Sequence, residues 1–172
     1  FDLDKDRIPG IDILLKENQK QKIGNLEFKV IFVPGHTRGH IAFYFEGEKI
    51  VFTGDTLFSL GCGRVFEGTH KEMLNSLIKL KKLPPETKVY CGHEYTRTNL
   101  DFCLEYDSKN VALKDKSLKL NSILKKNLPS IPTTINDEIK MNIFLRFDNA
   151  SVKEGLNLKD SSDQEVFSKL RD

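Results

Sequence analysis

The chain has 172 residues, of which 38% are hydrophobic and 30% charged, a composition that supports one ordinary domain or two small ones and excludes general disorder. With 27 Lys and Arg against 25 Asp and Glu the net charge is only +2, which argues against a dedicated nucleic-acid binder. No apolar run approaches the length of a membrane span.

The N-terminus, Phe1-Asp2-Leu3-Asp4-Lys5-Asp6, lacks the basic and apolar regions of a signal peptide and has no initiator Met, so the chain is expected to start inside a longer polypeptide. A strand is predicted over residues 26–33, stopped by Pro34-Gly35. Residues 41–45 and 49–53 flank Glu46-Gly47-Glu48 and read as a β-hairpin. Thr69, with Glu72 three residues on, opens a helix by a capping box. Its apolar face is Met73, Leu74, Leu77, Ile78 and Leu80, and Pro84-Pro85 ends it. Residues 88–91 form a further short strand. After Thr96 the spacing becomes helical. Leu100, Cys103 and Leu104 make one stripe; Leu113, Leu118, Leu120, Ile123 and Leu124 make another. The lysines at 114, 116, 119, 125 and 126 read as a solvated helix face. Residues 128–134 are a break, and helices are expected over 137–144, over 151–156 and after Ser161-Ser162.

Three cysteines, Cys62, Cys91 and Cys103, form no C-x-x-C pair. They suit a reducing cytosol, not a disulfide framework or a zinc knuckle. The expected location is the cytoplasm, with a mitochondrial form as the alternative.

The informative feature is a recurrence. Three times an apolar strand runs into Gly and then into a metal-competent side chain: Pro34-Gly35-His36, Thr53-Gly54-Asp55 and Cys91-Gly92-His93. Any one of these alone is most often a plain surface residue. If the strands are neighbours, two imidazoles and a carboxylate meet at one sheet edge, a ligand set for Zn, Fe or Mn. His40 follows His36 by four, but Pro34, Gly35 and Gly39 exclude a helix there, so a supporting role is expected. His70, at a helix start, is expected to be solvated. Cys62 lies between glycines with no base assigned to it and reads as structural. Arg64 either clamps a carboxylate or is simply exposed. Tyr95 either donates a hydrogen bond or packs.

Four segments carry a family resemblance. Pro34-Gly35-His36-Thr37-Arg38-Gly39-His40, Phe52-Thr53-Gly54-Asp55-Thr56-Leu57-Phe58, Gly61-Cys62-Gly63-Arg64-Val65-Phe66-Glu67-Gly68-Thr69 and Tyr90-Cys91-Gly92-His93-Glu94-Tyr95-Thr96 resemble the hydroxyacylglutathione hydrolases, or glyoxalase II, of the metallo-β-lactamase superfamily. The resemblance implies an α/β fold. Residues 1–96 would form the second half of an αββα metallo-β-lactamase sandwich, and residues 97–172 an α-helical domain that binds the glutathione substrate. The implied reaction is hydrolysis of S-D-lactoylglutathione to D-lactate and glutathione by a metal-bound hydroxide. Two divalent ions, Zn with Fe or Mn as alternatives, would be held by His36, Asp55 and His93, with Asp55 bridging. Arg64, Tyr95 and Arg171 match positions that contact glutathione. Phe66 stands where some members carry Tyr. The family's T-H-x-H-x-D-H segment, which supplies four further ligands, is absent, as is the Lys that follows the final Arg. The chain alone is therefore expected to be inactive and to need the missing N-terminal segment as its partner. No nucleic acid or membrane is expected. The rival readings are another metallo-β-lactamase-fold hydrolase such as a lactonase, a persulfide dioxygenase, and a non-catalytic glutathione-binding remnant.

Overall fold

The structure is a computed structural model that describes residues 1–172. The first half of the chain is strand-rich: β1 (Lys20–Ile23), β2 (Leu26–Phe32), β3 (Ile41–Phe45), β4 (Ile50–Gly54), β5 (Leu57–Phe58), β6 (Gly61–Cys62), then α1 (His70–Lys81) and β7 (Lys88–Cys91). The second half holds α2 (Thr96–Tyr106), α3 (Val111–Lys125), β8 (Thr133–Thr134), α4 (Ile135–Met141), α5 (Ala150–Gly155) and α6 (Asp163–Arg171). A six-stranded sheet has the order β1-β2-β3-β4-β7-β8, and β5-β6 form a separate hairpin. Neighbours are antiparallel except β4 and β7, which are parallel. It follows that β2, β4 and β7 all run the same way. Their C-terminal ends share one edge of the sheet, and the three Gly-ligand turns leave from that edge.

The two faces of the sheet differ. Ile31, Ala42, Tyr44, Val51 and Val89 point to the helices and join a cluster of 27 buried residues that includes Leu77, Leu100, Leu113 and Phe167. This core runs through both halves of the chain. The other face is aromatic. Phe28, Val30 and Phe45 are buried there, with Phe43 and Ile50 only partly covered. Phe52 is 44% exposed, although it stacks on Tyr90 at 5.3 Å and meets Phe45 edge-on at 5.7 Å.

The locally encoded features form as the sequence predicts. Thr69 and Glu72 close a capping box on α1, and Ser162 and Glu165 close another on α6. The hairpin of β3 and β4 turns at residues 46–49, with Lys49 at φ +54°. Four features differ from the sequence reading. β1 precedes the first predicted strand as a lysine-bearing edge, which protects it from pairing with another chain. Its signal was the two-residue turn Gly24-Asn25 before the apolar run. β5 and β6 are too short to show a period. The break at 128–134 contains β8, which pairs with β7 behind Pro132. Leu118 is 72% exposed, whereas Leu113 and Leu120 are buried. Five residues past Leu113 is about 140° around a helix, off the buried stripe. No helix is long and apolar enough to cross a membrane.

One carboxylate lies fully inside the helical region. Glu138 Oε2 accepts from the Leu60 N–H and from Asn142 Nδ2, both at 2.8 Å, and Oε1 accepts from the Thr133 hydroxyl at 2.7 Å. Burial pushes its pKa from 4.5 up to about 7, against the opposite pull of these three hydrogen bonds. A raised carboxyl pKa stabilises the fold fully below the ordinary carboxylate range, and that contribution is lost as pH rises through the folded value. At about 1.4 kcal/mol per pH unit the loss amounts to about 3 kcal/mol. Glu138→Gln, which cannot ionise, is therefore expected to gain stability relative to the parent between about pH 5 and about pH 8. Urea denaturation at both pH values checks this; parallel pH dependences for parent and variant would refute it.

Candidate metal and substrate site

The shared sheet edge brings His36, Asp55 and His93 together. His36 Nε2 lies 3.3 Å from Asp55 Oδ2, and His93 Nε2 lies 3.4 Å from Asp55 Oδ1. One carboxylate thus sits between two imidazoles, one oxygen toward each. Glycines permit this approach. A Cβ on Gly92 would stand 2.5 Å from Asp55 Oδ1, and one on Gly63 would stand 1.8 Å from the Asp55 carbonyl oxygen.

Second partners orient these groups. His36 Nδ1 is 2.9 Å from the Arg64 carbonyl, which can only accept, so Nδ1 carries the proton. The lone pair of neutral His36 is then on Nε2, facing a carboxylate oxygen. Two electron-pair donors aimed at each other in this way suit a cation between them. His40 Nε2 accepts the Asp55 backbone N–H at 3.0 Å. Burial, and then the nearby His36, hold the His40 pKa below its ordinary value, which keeps it the neutral acceptor this bond requires. The supporting role expected of His40 is what the structure gives. His93 is held by its ring, stacked on Tyr95 at 4.9 Å and edge-on to Phe58 at 5.9 Å. No three His, Cys, Asp or Glu side chains converge tightly enough to cage an ion by themselves. The arrangement is one carboxylate shared by two imidazoles, one ring nitrogen to each oxygen.

The seven residues expected to hold metal or glutathione line one cavity of about 720 Å³: His36, Asp55, Arg64, Phe66, His93, Tyr95 and Arg171. Arg64 is exposed on its wall. Phe66 is 68% exposed and lies 5.1 Å from the His36 ring. Arg171 reaches in from α6. Its Nη1 donates to the Cys62 carbonyl at 2.9 Å, and its guanidinium lies 5.2 Å from the Phe144 ring centroid. Sequence reasoning missed Thr98, Asn99 and Phe102, which also line the cavity. Their signal was the spacing from Tyr95, which places all four on one side of α2. Burial pushes the Cys62 thiol up to about 11 although Arg171 pulls it down, which disfavours the nucleophilic thiolate at neutral pH. His70 is only partly solvated; it packs edge-on to Phe167 at 6.3 Å, between α1 and α6.

Residues 3–93 match the metallo-beta-lactamase superfamily, and residues 94–172 match the hydroxyacylglutathione hydrolase C-terminus. A hydroxyacylglutathione hydrolase of Pelagibacter ubique is 52% identical over 169 residues, covering 98% of this chain and 65% of the relative. One of Bartonella tribocorum is 44% identical over 168 residues, covering 98% and 66%. The chain thus spans about 65% of the length of these relatives. Among solved structures, the BLEG-1 B3 metallo-beta-lactamase is 28% identical with a TM-score of 0.54, over 78% of this chain and 48% of that one. ETHE1 from Myxococcus xanthus shares the fold, with a TM-score of 0.59 over 95% of this chain and 53% of that one at 23% identity. By the match of its first half and by its fold, this chain belongs to the metallo-beta-lactamase superfamily, and its C-terminal region is similar to the C-terminus of the hydroxyacylglutathione hydrolases.

Proposed function

We propose that this chain is the substrate-binding region and part of the metal site of a hydroxyacylglutathione hydrolase, which cleaves S-D-lactoylglutathione to D-lactate and glutathione. The observation that carries the reading is the single cavity shared by His36, Asp55 and His93 with Arg64, Tyr95 and Arg171, in a chain whose relatives bear that name. Residues 1–96 are read as the catalytic portion and residues 97–172 as the substrate domain. His36 and Asp55 would hold one divalent ion, and Asp55 and His93 a second; zinc suits both, as do iron and manganese. Bound ions supply the Lewis acidity that makes a water ionise near neutral pH.

The chain's own residues do the rest. Asp55 offsets charge at both positions, and its place is held by His40. The Arg64 carbonyl holds His36 in the tautomer with Nε2 free. The guanidinium groups of Arg64 and Arg171 suit the carboxylates of glutathione. The Tyr95 hydroxyl suits its backbone carbonyls. Phe66 offers a ring face without a hydroxyl. Further donors would come from the part of the longer relatives that this chain does not span. Three free cysteines favour the cytoplasm.

The test is thioester hydrolysis with zinc, by the chain alone and by the chain mixed with the complementary segment of the Pelagibacter ubique relative. Turnover of S-D-lactoylglutathione by the mixture only, with none of glutathione persulfide, is the expected result. A well-folded mixture that leaves the thioester intact would overturn the reading.

A further inference from the structure

We propose that the helical region sets the geometry of the His36–Asp55 pair through the β5–β6 hairpin, with Glu138 and Asn142 as positioning residues. The hairpin has only two residue pairs of its own, Leu57 with Cys62 and Phe58 with Gly61. A ladder that short does not hold itself. Its turn also contains Leu60, a fully buried non-glycine residue at φ +61°, a conformation that persists only where the surroundings impose it.

Those surroundings are side chains of the helical region, bound to the hairpin backbone group by group. The Leu60 N–H donates to Glu138 at 2.8 Å. The Leu60 carbonyl accepts from Cys103 Sγ at 3.2 Å, and the Ser59 carbonyl accepts from Asn99 Nδ2 at 2.9 Å. The Gly61 carbonyl accepts from Asn142 Nδ2 at 3.0 Å, and the Cys62 carbonyl accepts from Arg171. Glu138 and Asn142 are both fully buried and bonded to each other. A buried carboxylate costs stability that an apolar residue would not, so the contribution of Glu138 is to geometry rather than to stability.

The other end of the hairpin meets the site. The Gly63 N–H donates to the Thr56 carbonyl at 3.2 Å. Gly63 packs so closely on the Asp55 carbonyl that no Cβ fits. The next residue, Arg64, supplies the carbonyl that holds the His36 proton. A shift of Leu60 is therefore carried along four residues of chain to the group that fixes the His36 tautomer.

The test uses the isotope-labelled chain and has two readouts. The first is the His36 ring resonance and the solvent exchange of its Nδ1 proton. The second is zinc affinity, and it alone rests on the metal reading above. Glu138→Ala is expected to move the His36 resonance, to speed exchange at least about tenfold, and to weaken zinc binding about tenfold. Glu138→Gln keeps an oxygen for Leu60 and Asn142 and an amide for Thr133, so it should stay within about twofold of the parent. Asn142→Ala, which removes the donor to Gly61, decides the matter if Glu138→Ala fails to fold. Asp107→Asn is the control for simple destabilisation. It loosens the contacts with Arg146 at 3.2 Å and Ser151 at 2.7 Å without touching the hairpin. Folded Glu138→Ala and Asn142→Ala variants with the parent's His36 signal and zinc affinity would overturn the proposal, as would Asp107→Asn producing the same change. A parent that binds no zinc while Glu138→Ala still moves the His36 ring would count against the metal reading and support the positioning role.

Discussion

Asp55→Asn is expected to weaken zinc binding by the chain more than about a hundredfold. Loss of a group that merely orients a ligand typically costs 10- to 100-fold. Asp55 does more, because its two oxygens face both imidazoles, at 3.3 and 3.4 Å. The amide replacement is nearly isosteric, yet it removes the negative charge shared by both proposed ion positions. It also allows an N–H donor to face the His36 Nε2 lone pair, so a hydrogen bond competes there with the ion. The backbone contact from Asp55 to His40 does not depend on the side chain, so the fold should persist. Competition against a coloured chelator gives the affinity, and circular dichroism monitors folding. Zinc affinity of a folded variant within about tenfold of the parent would show that Asp55 is not a ligand.

Phe167→Ala is expected to destabilise the chain by about 3–5 kcal/mol, the usual cost of emptying a fully buried aromatic site. Phe167 has no exposed surface and meets Phe144 edge-on at 6.1 Å and His70 at 6.3 Å. It joins α6 to α1 and to the turn after α4. Single domains are stable by about 5–15 kcal/mol in total, so roughly a fifth or more of the margin would go. The loss has a local consequence as well. Arg171 reaches the Cys62 carbonyl only while α6 is docked, so partial undocking also withdraws a cation from the cavity. Urea unfolding of Phe167→Ala beside Phe167→Leu checks the argument. The leucine variant should lose much less, and a loss below about 1 kcal/mol for alanine would mean that the site collapses around the gap.

Much of the site was legible before any fold was known. His36, Asp55 and His93 each follow an apolar strand and a glycine, and that repeated pattern is written within a few residues each time. A local rule also placed α1, because Thr69, three residues before Glu72, satisfies the first backbone donors of its own helix; the same box between Ser162 and Glu165 on α6 is seen in the structure. The residues of α2 that complete the cavity were present as a helical spacing but were not connected to the site.

Other features were not legible, for a physical reason. Leu118 and Leu120 have the same side chain, and only the direction of the neighbouring elements makes one exposed and the other buried. β5, β6 and β8 are two residues each, too short for any period to declare itself. Glu138 reads from sequence as one more acidic residue on a helix; it is a buried anchor only because Leu60, 78 positions earlier, presents its N–H there. Residue type and near neighbours are enough to specify which side chains can do metal and carboxylate chemistry, and that they follow strand ends. The tertiary structure alone decided that three such ends share one sheet edge, which His36 nitrogen carries the proton, and which helical side chains hold the hairpin beside it. Those depend on contacts between residues far apart in the chain, whose distances no local spacing encodes.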